Sequence, residues 1–429
     1  MQLYDTLTRG KRELPPPPGP IRMYFCGPTV YARAHIGNAR PFILGMWLRS
    51  WLRERGYDAR FVHNITDIND KIYAAAPGAS AELAEEATDW YLQDTRDLGL
   101  GIPDDLPKAS DYVPQIVRFI GQLVERDFAY AASGDVYFRV ARFADYGRLS
   151  GRIDHDEAPR NPSEEEEATE LKEDPRDFAL WKAHKAGEDT WWESPWGRGR
   201  PGWHIECSAM AEELLGPAFE IHGGGVDLVF PHHENEIAQS AALGHEFAHA
   251  WMHNGMLQFV GEKMSKSAGN VRTIRQALDD WGREAVLVFF LGAHWSKPID
   301  YSEKTLAAAA ARAEGFREIF RGPSEAAGAH EWERFAAALD DDLNTPDALA
   351  VMHSWRDHEL LRRALDVFGL GSLAERAEAS PELVALAERR LNARDSRDFE
   401  EADRLRDAIE RAGWEVRDVA TGFQLVPKA

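Results

Sequence analysis

The chain has 429 residues, 44% hydrophobic and 28% charged, which excludes a fibrous or largely disordered protein and leaves room for roughly two to four globular domains. A net charge of −22 argues against a surface basic all over, yet residues 1–60 hold ten Arg/Lys against four Asp/Glu, a local +6, so a nucleic-acid partner is not excluded. No apolar run approaches the ~20 residues of a membrane span, MQLYDTLTRGKREL lacks a secretory apolar core, and two cysteines make no disulfide framework; a reducing, cytoplasmic setting is expected.

In chain order, ELPPPPGP reads as a rigid lead-in to a strand over residues 21–26 that ends in a Gly-Pro turn. The string HIGNARPFILGMWLRSWLRERG carries a helical apolar stripe through Phe42, Ile43, Met46, Trp47, Leu48 and Trp51, closed by Gly56. DARFVHNITDIND follows as a second strand, completing a strand–helix–strand unit of a parallel sheet. Residues 111–195 change character, with hairpin-like GDVYFRV, the acidic run Glu164 to Glu167, read as a solvated loop, and aromatic WWESPW, and predict an inserted domain. The α/β pattern resumes after residue 200: HIECSAMAEELLG helical, AFEIHGGGVD a strand then a Gly-rich loop, HHENEIAQSAALG helical, AHAWMHNGML a strand. Beyond residue 300 the Ala/Glu/Leu/Arg-rich segments predict a helical bundle, and WEVRDVATGFQLVPK a closing strand pair.

The chemistry lies in a few strings. Cys26 and Cys207 are followed by PHHENE, in which His232 and Glu236 stand four apart and share a helix face. Two thiolates, an imidazole and a carboxylate make a tetrahedral zinc set, while the plain alternative is two buried cysteines acting as small apolar side chains. His35 and Asn38 flank Gly37 at a strand-to-helix turn, where the unpaired N–H groups of a helix start favour a phosphate; simple helix capping by the same side chains is the alternative. In GEKMSKS, Lys263 and Lys266 make a cationic loop suited to a triphosphate, or merely a solvated loop.

Together these strings resemble the cysteinyl-tRNA synthetases of class I. HIGN is similar to the HIGH signature of that class, KMSKS matches the second signature, and the likeness runs through CGPTVYARAHIGNARPF, FVHNITDINDKI, GRPGWHIECSAM, FEIHGGGVDLVFPHHENEIAQS, WMHNGM and LDDDLNTPDALAVM. The resemblance implies an α/β, Rossmann-like catalytic domain in two halves (1–110 and 196–260), an insert (111–195), the KMSKS loop and connecting region (261–300), a helical bundle (301–390) and an anticodon-binding tail (391–429). It implies one zinc per chain on Cys26, Cys207, His232 and Glu236, with His233 and Glu234 turned elsewhere, and the substrate cysteine's thiolate as a further ligand. Gly27, Thr29, Thr66, Trp203 and His222 would line the amino-acid pocket. Gly223, Gly224, Gly225 and Asp227 would receive adenosine, and His35, Asn38, Lys263 and Lys266 the phosphates of ATP with Mg2+. Phe399, Asp403 and Asp418 would read the anticodon. ATP, L-cysteine and tRNA(Cys) are thus the implied partners, with no membrane and a monomeric chain.

Two positions depart from the family pattern: Asn38 replaces the second His of HIGH, and Asn69 stands where Asp is frequent. Asn keeps an N–H donor, so activation is expected to survive the first change. Two rival readings share the core: a ligase joining cysteine to an amino sugar in the mycothiol pathway, whose family lacks the tail, and a catalytically inactive RNA-binding paralogue, against which the intact KMSKS and four candidate ligands stand.

Overall fold

The computed structural model describes residues 1–152, 169–259, 262–263, 271–326, 328, 330–375, 379–419 and 422–427. The acidic run 164–167 and Lys266 lie outside the described residues, and Lys263 is described in its backbone alone. The chain forms two compact units, Met1–Ile319 with Pro323–Leu373, and Phe320–Gly322 with Ala374–Ala429.

The first unit is organised on a four-stranded parallel sheet: β1 (Pro20–Phe25), β2 (Asp58–His63), β3 (Ala218–Gly225) and β4 (Phe247–Asn254) in the order β4-β3-β1-β2. Met23, Tyr24 and Phe25 of β1 pair with Phe61, Val62 and His63 on one side and with Ile221, His222 and Gly223 on the other. β1 is apolar on both faces, with Ile21, Met23, Tyr24 and Phe25 all buried, as a central parallel strand covered by helices requires. Helix α1 (Ala39–Glu54) leads from β1 to β2 and buries the predicted stripe, Trp47, Leu48 and Trp51 included; Gly56, at φ 85°, supplies the left-handed turn that ends it. Helices α2 (Trp203–Leu215) and α3 (Glu234–Ala242) serve β3 and β4 in the same way. The chain builds outward from β1 to β2, then restarts at β3 beside β1, so strand order reverses between β1 and β3. A crevice beyond the carboxyl ends of two such strands is the usual ligand position of an open α/β sheet.

The segment between the halves supplies the helix Val113–Glu125 and an antiparallel sheet of Ala129–Ala132, Asp135–Phe138, Phe178–Ala183 and Gly199–Pro201. Its Tyr130, Tyr137 and Ala179 form a small cluster of their own, while Ile116, Phe119, Phe138 and Trp181 join one larger apolar cluster with Tyr24, Cys26, Val62, Cys207 and Ile237. Further helices of this unit include Asp70–Ala75, Ser80–Asp97, Ile274–Leu291, Glu331–Asp340, Thr345–Ser354 and His358–Val367.

In the second unit, helices Pro381–Asp395 and Phe399–Arg411 pack with the hairpin of Trp414–Val419 and Gly422–Pro427 around Ala387, Ile409 and Val416. The helix Pro381–Asp395 puts Leu383, Leu386 and Ala387 into the core of this unit.

Candidate active site

The carboxyl ends of β1 and β3 bring the sequence-distant residues together. Cys26 follows β1, and its N–H donates to the Gly223 carbonyl at 3.0 Å. Its Sγ lies 3.7 Å from Cys207 Sγ on α2, 3.6 Å from His232 Nε2 and 3.6 Å from Glu236 Oε1, while His232 Nε2 and Glu236 Oε1 are 3.0 Å apart. All four residues are buried. A tetrahedral ion bound at 2.0–2.3 Å has ligand–ligand edges of about 3.3–3.8 Å; the donor types and the three Cys26 distances fit zinc, and the His232–Glu236 edge is shorter.

Electrostatics agree with that fit. Burial, with Cys207 and Glu236 beside it, pushes the Cys26 thiol well above its usual range. Burial opposes ionisation of Cys207 too, but the Cys26 hydrogen bond and the His232 charge bring it down to about 6. The pair by itself favours one thiolate; a dication is the charge that would hold two.

His232 is fixed from behind. Its Nδ1 lies 3.0 Å from His204 Nδ1, leaving Nε2 for Cys26 and Glu236, and Trp203 stacks on its ring with centroids 4.3 Å apart. Trp203 is therefore a wall of the cluster, the ring behind a candidate ligand. His222 reaches it from β3, Nε2 at 3.1 Å from Glu236 Oε2 and 3.8 Å from Cys26 Sγ. Glu234 turns away, as expected. His233 does not: its Nε2 comes within 3.9 Å of Glu236 Oε1, and Cys26, His222, His233 and Glu236 form a second set close enough to hold an ion. The cause is local, since His233 has helical backbone dihedrals and stands three residues before Glu236, a spacing that makes the two side chains neighbours on a helix.

Beyond β1 and β2 the chain continues side by side: Thr29 bridges Thr66, and Val30 N–H donates to the Thr66 carbonyl at 3.1 Å. A Cβ at Gly27 would lie 1.7 Å from the Asn64 carbonyl oxygen, so glycine is required there by backbone approach. Asn64, overlooked in the sequence, accepts from Gly27 N–H at 2.9 Å and comes within 3.8 Å of Cys207 Sγ. Asn69 explains itself as the N-cap of Asp70–Ala75, its side chain accepting from Lys71 N–H, a task Asp and Asn share.

At the HIGN string neither His35 nor Asn38 makes a capping hydrogen bond, so the capping alternative fails; a short 3-10 turn, Ile36–Asn38, leads into α1. A Cβ on Gly37 would meet the His35 ring at 2.9 Å, which gives the glycine a reason besides ligand approach. The stretch following KMSKS is tied to HIGN through the backbone: Ile36 N–H donates to Arg272 and Ile274 N–H to Ala34, at 2.8 and 3.0 Å. Gly223, Gly224 and Gly225 correct one expectation, being the last residues of β3, paired with Met252, His253 and Asn254, rather than a loop. Side chains there would strike Phe25, Leu228 and Asp227 in turn, so packing demands the first two small residues. The loop starts at Val226, and Asp227 stands exposed in the turn Val226–Leu228 at the strand's carboxyl end.

In the tail, Phe399 is 62% exposed and Asp403 pairs with Arg406 at 3.3 Å. Asp418, expected to meet a base edge, already accepts from Arg390 at 2.6 Å and from Arg394. Its carboxylate fixes two guanidinium groups.

Residues 15–311 match the model of tRNA synthetases class I (C) catalytic domain, and residues 334–356 that of the DALR domain. Cysteine–tRNA ligases of Pseudothermotoga lettingae and Methylobacillus flagellatus are each 43% identical to the chain, over 98% of it and 98% of their own length. In fold the chain is similar to Mycobacterium tuberculosis methionyl-tRNA synthetase in complex with methionyl-adenylate, at a TM-score of 0.60 and 16% identity over 83% of this chain and 88% of that one. Full-length identity with the relatives, and a catalytic-domain match that spans the whole sheet and its cysteine cluster, place the chain in the cysteine–tRNA ligase family of class I synthetases.

Proposed function

We propose that the chain joins cysteine to tRNA(Cys) at the expense of ATP, recognising the amino acid through a zinc ion on Cys26, Cys207, His232 and Glu236. The observation that carries this reading is the convergence of those four buried donors, their ligand atoms within 4.8 Å of one another, on the strand-order reversal. Zinc at that place would supply a soft acceptor for the substrate's thiolate, which a serine hydroxyl satisfies poorly. Shape alone separates near-isosteres by only ~1 to 3 kcal/mol, so ligation is what discriminates.

In the first step the cysteine carboxylate attacks the α-phosphorus of ATP, the bond to the β-phosphate oxygen breaks, and pyrophosphate leaves. His35, Asn38 and the start of α1 bind the phosphates, with Lys263, Lys266 and Mg2+ offsetting their charge. Thr29, Thr66 and His222 orient the amino acid, and Asp227 accepts from ribose hydroxyls. A terminal ribose hydroxyl of the tRNA then attacks the acyl carbon, and AMP leaves. Positioning and electrostatics carry both steps without a protein nucleophile. The tail reads the anticodon through stacking on Phe399, while Asp403 and the Arg390–Asp418–Arg394 group approach base edges and backbone. The chain acts as a monomer in the cytoplasm; among the described residues no helix is long and apolar enough to cross a membrane.

Charging of tRNA with radiolabelled cysteine by the purified chain tests the reading. Cysteine-dependent ATP/pyrophosphate exchange with transfer to tRNA supports it. Exchange with transfer only to an amino sugar would replace it by the mycothiol ligase, and neither activity would leave an RNA-binding paralogue.

A further inference from the structure

One buried carboxylate beside the cluster has no part in the reaction above. Glu234, fully buried at the start of α3, accepts four hydrogen bonds from the segment 147–150: Gly147 N–H to Oε1 at 3.0 Å, and Leu149 N–H, Ser150 N–H and Ser150 Oγ to Oε2 at 3.1, 2.8 and 2.9 Å. Next to it, Tyr146 donates its hydroxyl to Asn235 Oδ1 at 2.5 Å, the Tyr146 ring packs edge-on to Phe230, and the Arg152 guanidinium lies over the Phe230 ring at 6.0 Å. Residues 146–152 thus grip the chain before His232, at Phe230, and after it, at Glu234 and Asn235. That turn needs an outside grip, because a π-type turn with an extended Phe230 lacks the regular hydrogen-bond ladder that would otherwise fix the direction of its side chains.

We infer that Glu234 is a positioning residue: it clamps the insert segment 146–152 onto the Phe230–Glu236 turn and thereby sets the aim of His232 and Glu236 at the metal. This rests on the metal-dependent cysteine reading above. In Glu234→Gln an amide N–H₂ must face backbone donors that now meet oxygen, whichever way the amide turns.

The test measures zinc affinity by competition with a chromophoric chelator, the visible spectrum of the cobalt-substituted protein, and KM for cysteine and ATP in pyrophosphate exchange. Glu234→Gln should weaken zinc binding about 10-fold, the lower end of what disturbing groups that orient metal ligands does, alter the cobalt spectrum, and raise KM for cysteine with KM for ATP unchanged. Ser150→Ala, which removes one bond of the four and leaves the rest, covers the case in which Glu234→Gln does not fold, and should weaken zinc about 3-fold. Arg148→Ala, an exposed side chain of the same segment, should change neither. If Ser150→Ala, and Glu234→Gln where folded, bind zinc with the parent's affinity and spectrum, the clamp is overturned. A parent chain that binds no zinc would instead sink the reading on which it rests.

Discussion

The cluster around Cys26 and the end of the tail near Phe399 put the same kinds of residue to opposite use. In the first, Cys26, Cys207 and the His232–Glu236 pair come from three chain segments, are buried, and bring their ligand atoms within 4.8 Å of one another. In the second, an aromatic ring and several charged groups stand in solvent, with Phe399 62% and Val419 45% exposed. Burial makes each charge in the cluster strong and each loss severe; exposure leaves the tail weakly determined by its own fold and free to meet a polymer.

Substitutions break this comparison in order of size. Cys207→Ser should lose bound zinc and cysteine-dependent exchange together, by 10³-fold or more on the order of a removed metal ligand, as read by metal analysis and exchange. His35→Ala should cost about 10²- to 10³-fold in exchange while leaving the zinc content whole; exchange that survives intact would refute its phosphate role. Phe399→Ala should leave tRNA-independent exchange untouched and raise KM for tRNA roughly 10-fold, within the ~1 to 3 kcal/mol of a lost base stack. A loss of exchange in that variant would show the tail to be structural for the site. Asn38→His should change exchange by less than about 3-fold, since both side chains offer an N–H donor.

The smallest effect belongs to Asp418. The hydrogen bond from Arg390 holds its carboxylate below the ordinary aspartate value. A group lowered in the folded state contributes stability that is present above its ordinary value and lost as pH falls through the lowered one. Asp418→Asn should therefore lower the melting temperature of the tail slightly at pH 7 and by less as the pH falls below the ordinary aspartate value; a difference that does not shrink with falling pH would exclude the ion pair as its cause.

Much of the fold could be read from periodicity, because β1, α1 and β2 are each a local pattern, and so could the HIGN and KMSKS strings. What was not legible came from residues brought together across the chain. Asn64 and His204 touch the cluster only because β2 ends and α2 begins beside the end of β1, which no spacing reports. His233 reaches the cluster because it stands three residues before Glu236, a helical neighbour relation that attention to the four-residue spacing of His232 and Glu236 leaves out. The three glycines read as a loop since their small size, needed against Phe25 and the His233 ring, mimics turn chemistry. The two arginine partners of Asp418 lie 24 and 28 residues away on the helix Pro381–Asp395, a pairing that sequence spacing does not report.

The central claim is that the two cysteines hold a metal that takes a third sulfur from the substrate. Cobalt substitution tests it directly: adding L-cysteine to the cobalt-loaded chain should raise the sulfur-to-cobalt charge-transfer absorption by a third thiolate's share, and L-serine should leave the spectrum unchanged. Equal responses to both amino acids, or none to cysteine at saturating concentration, would contradict it.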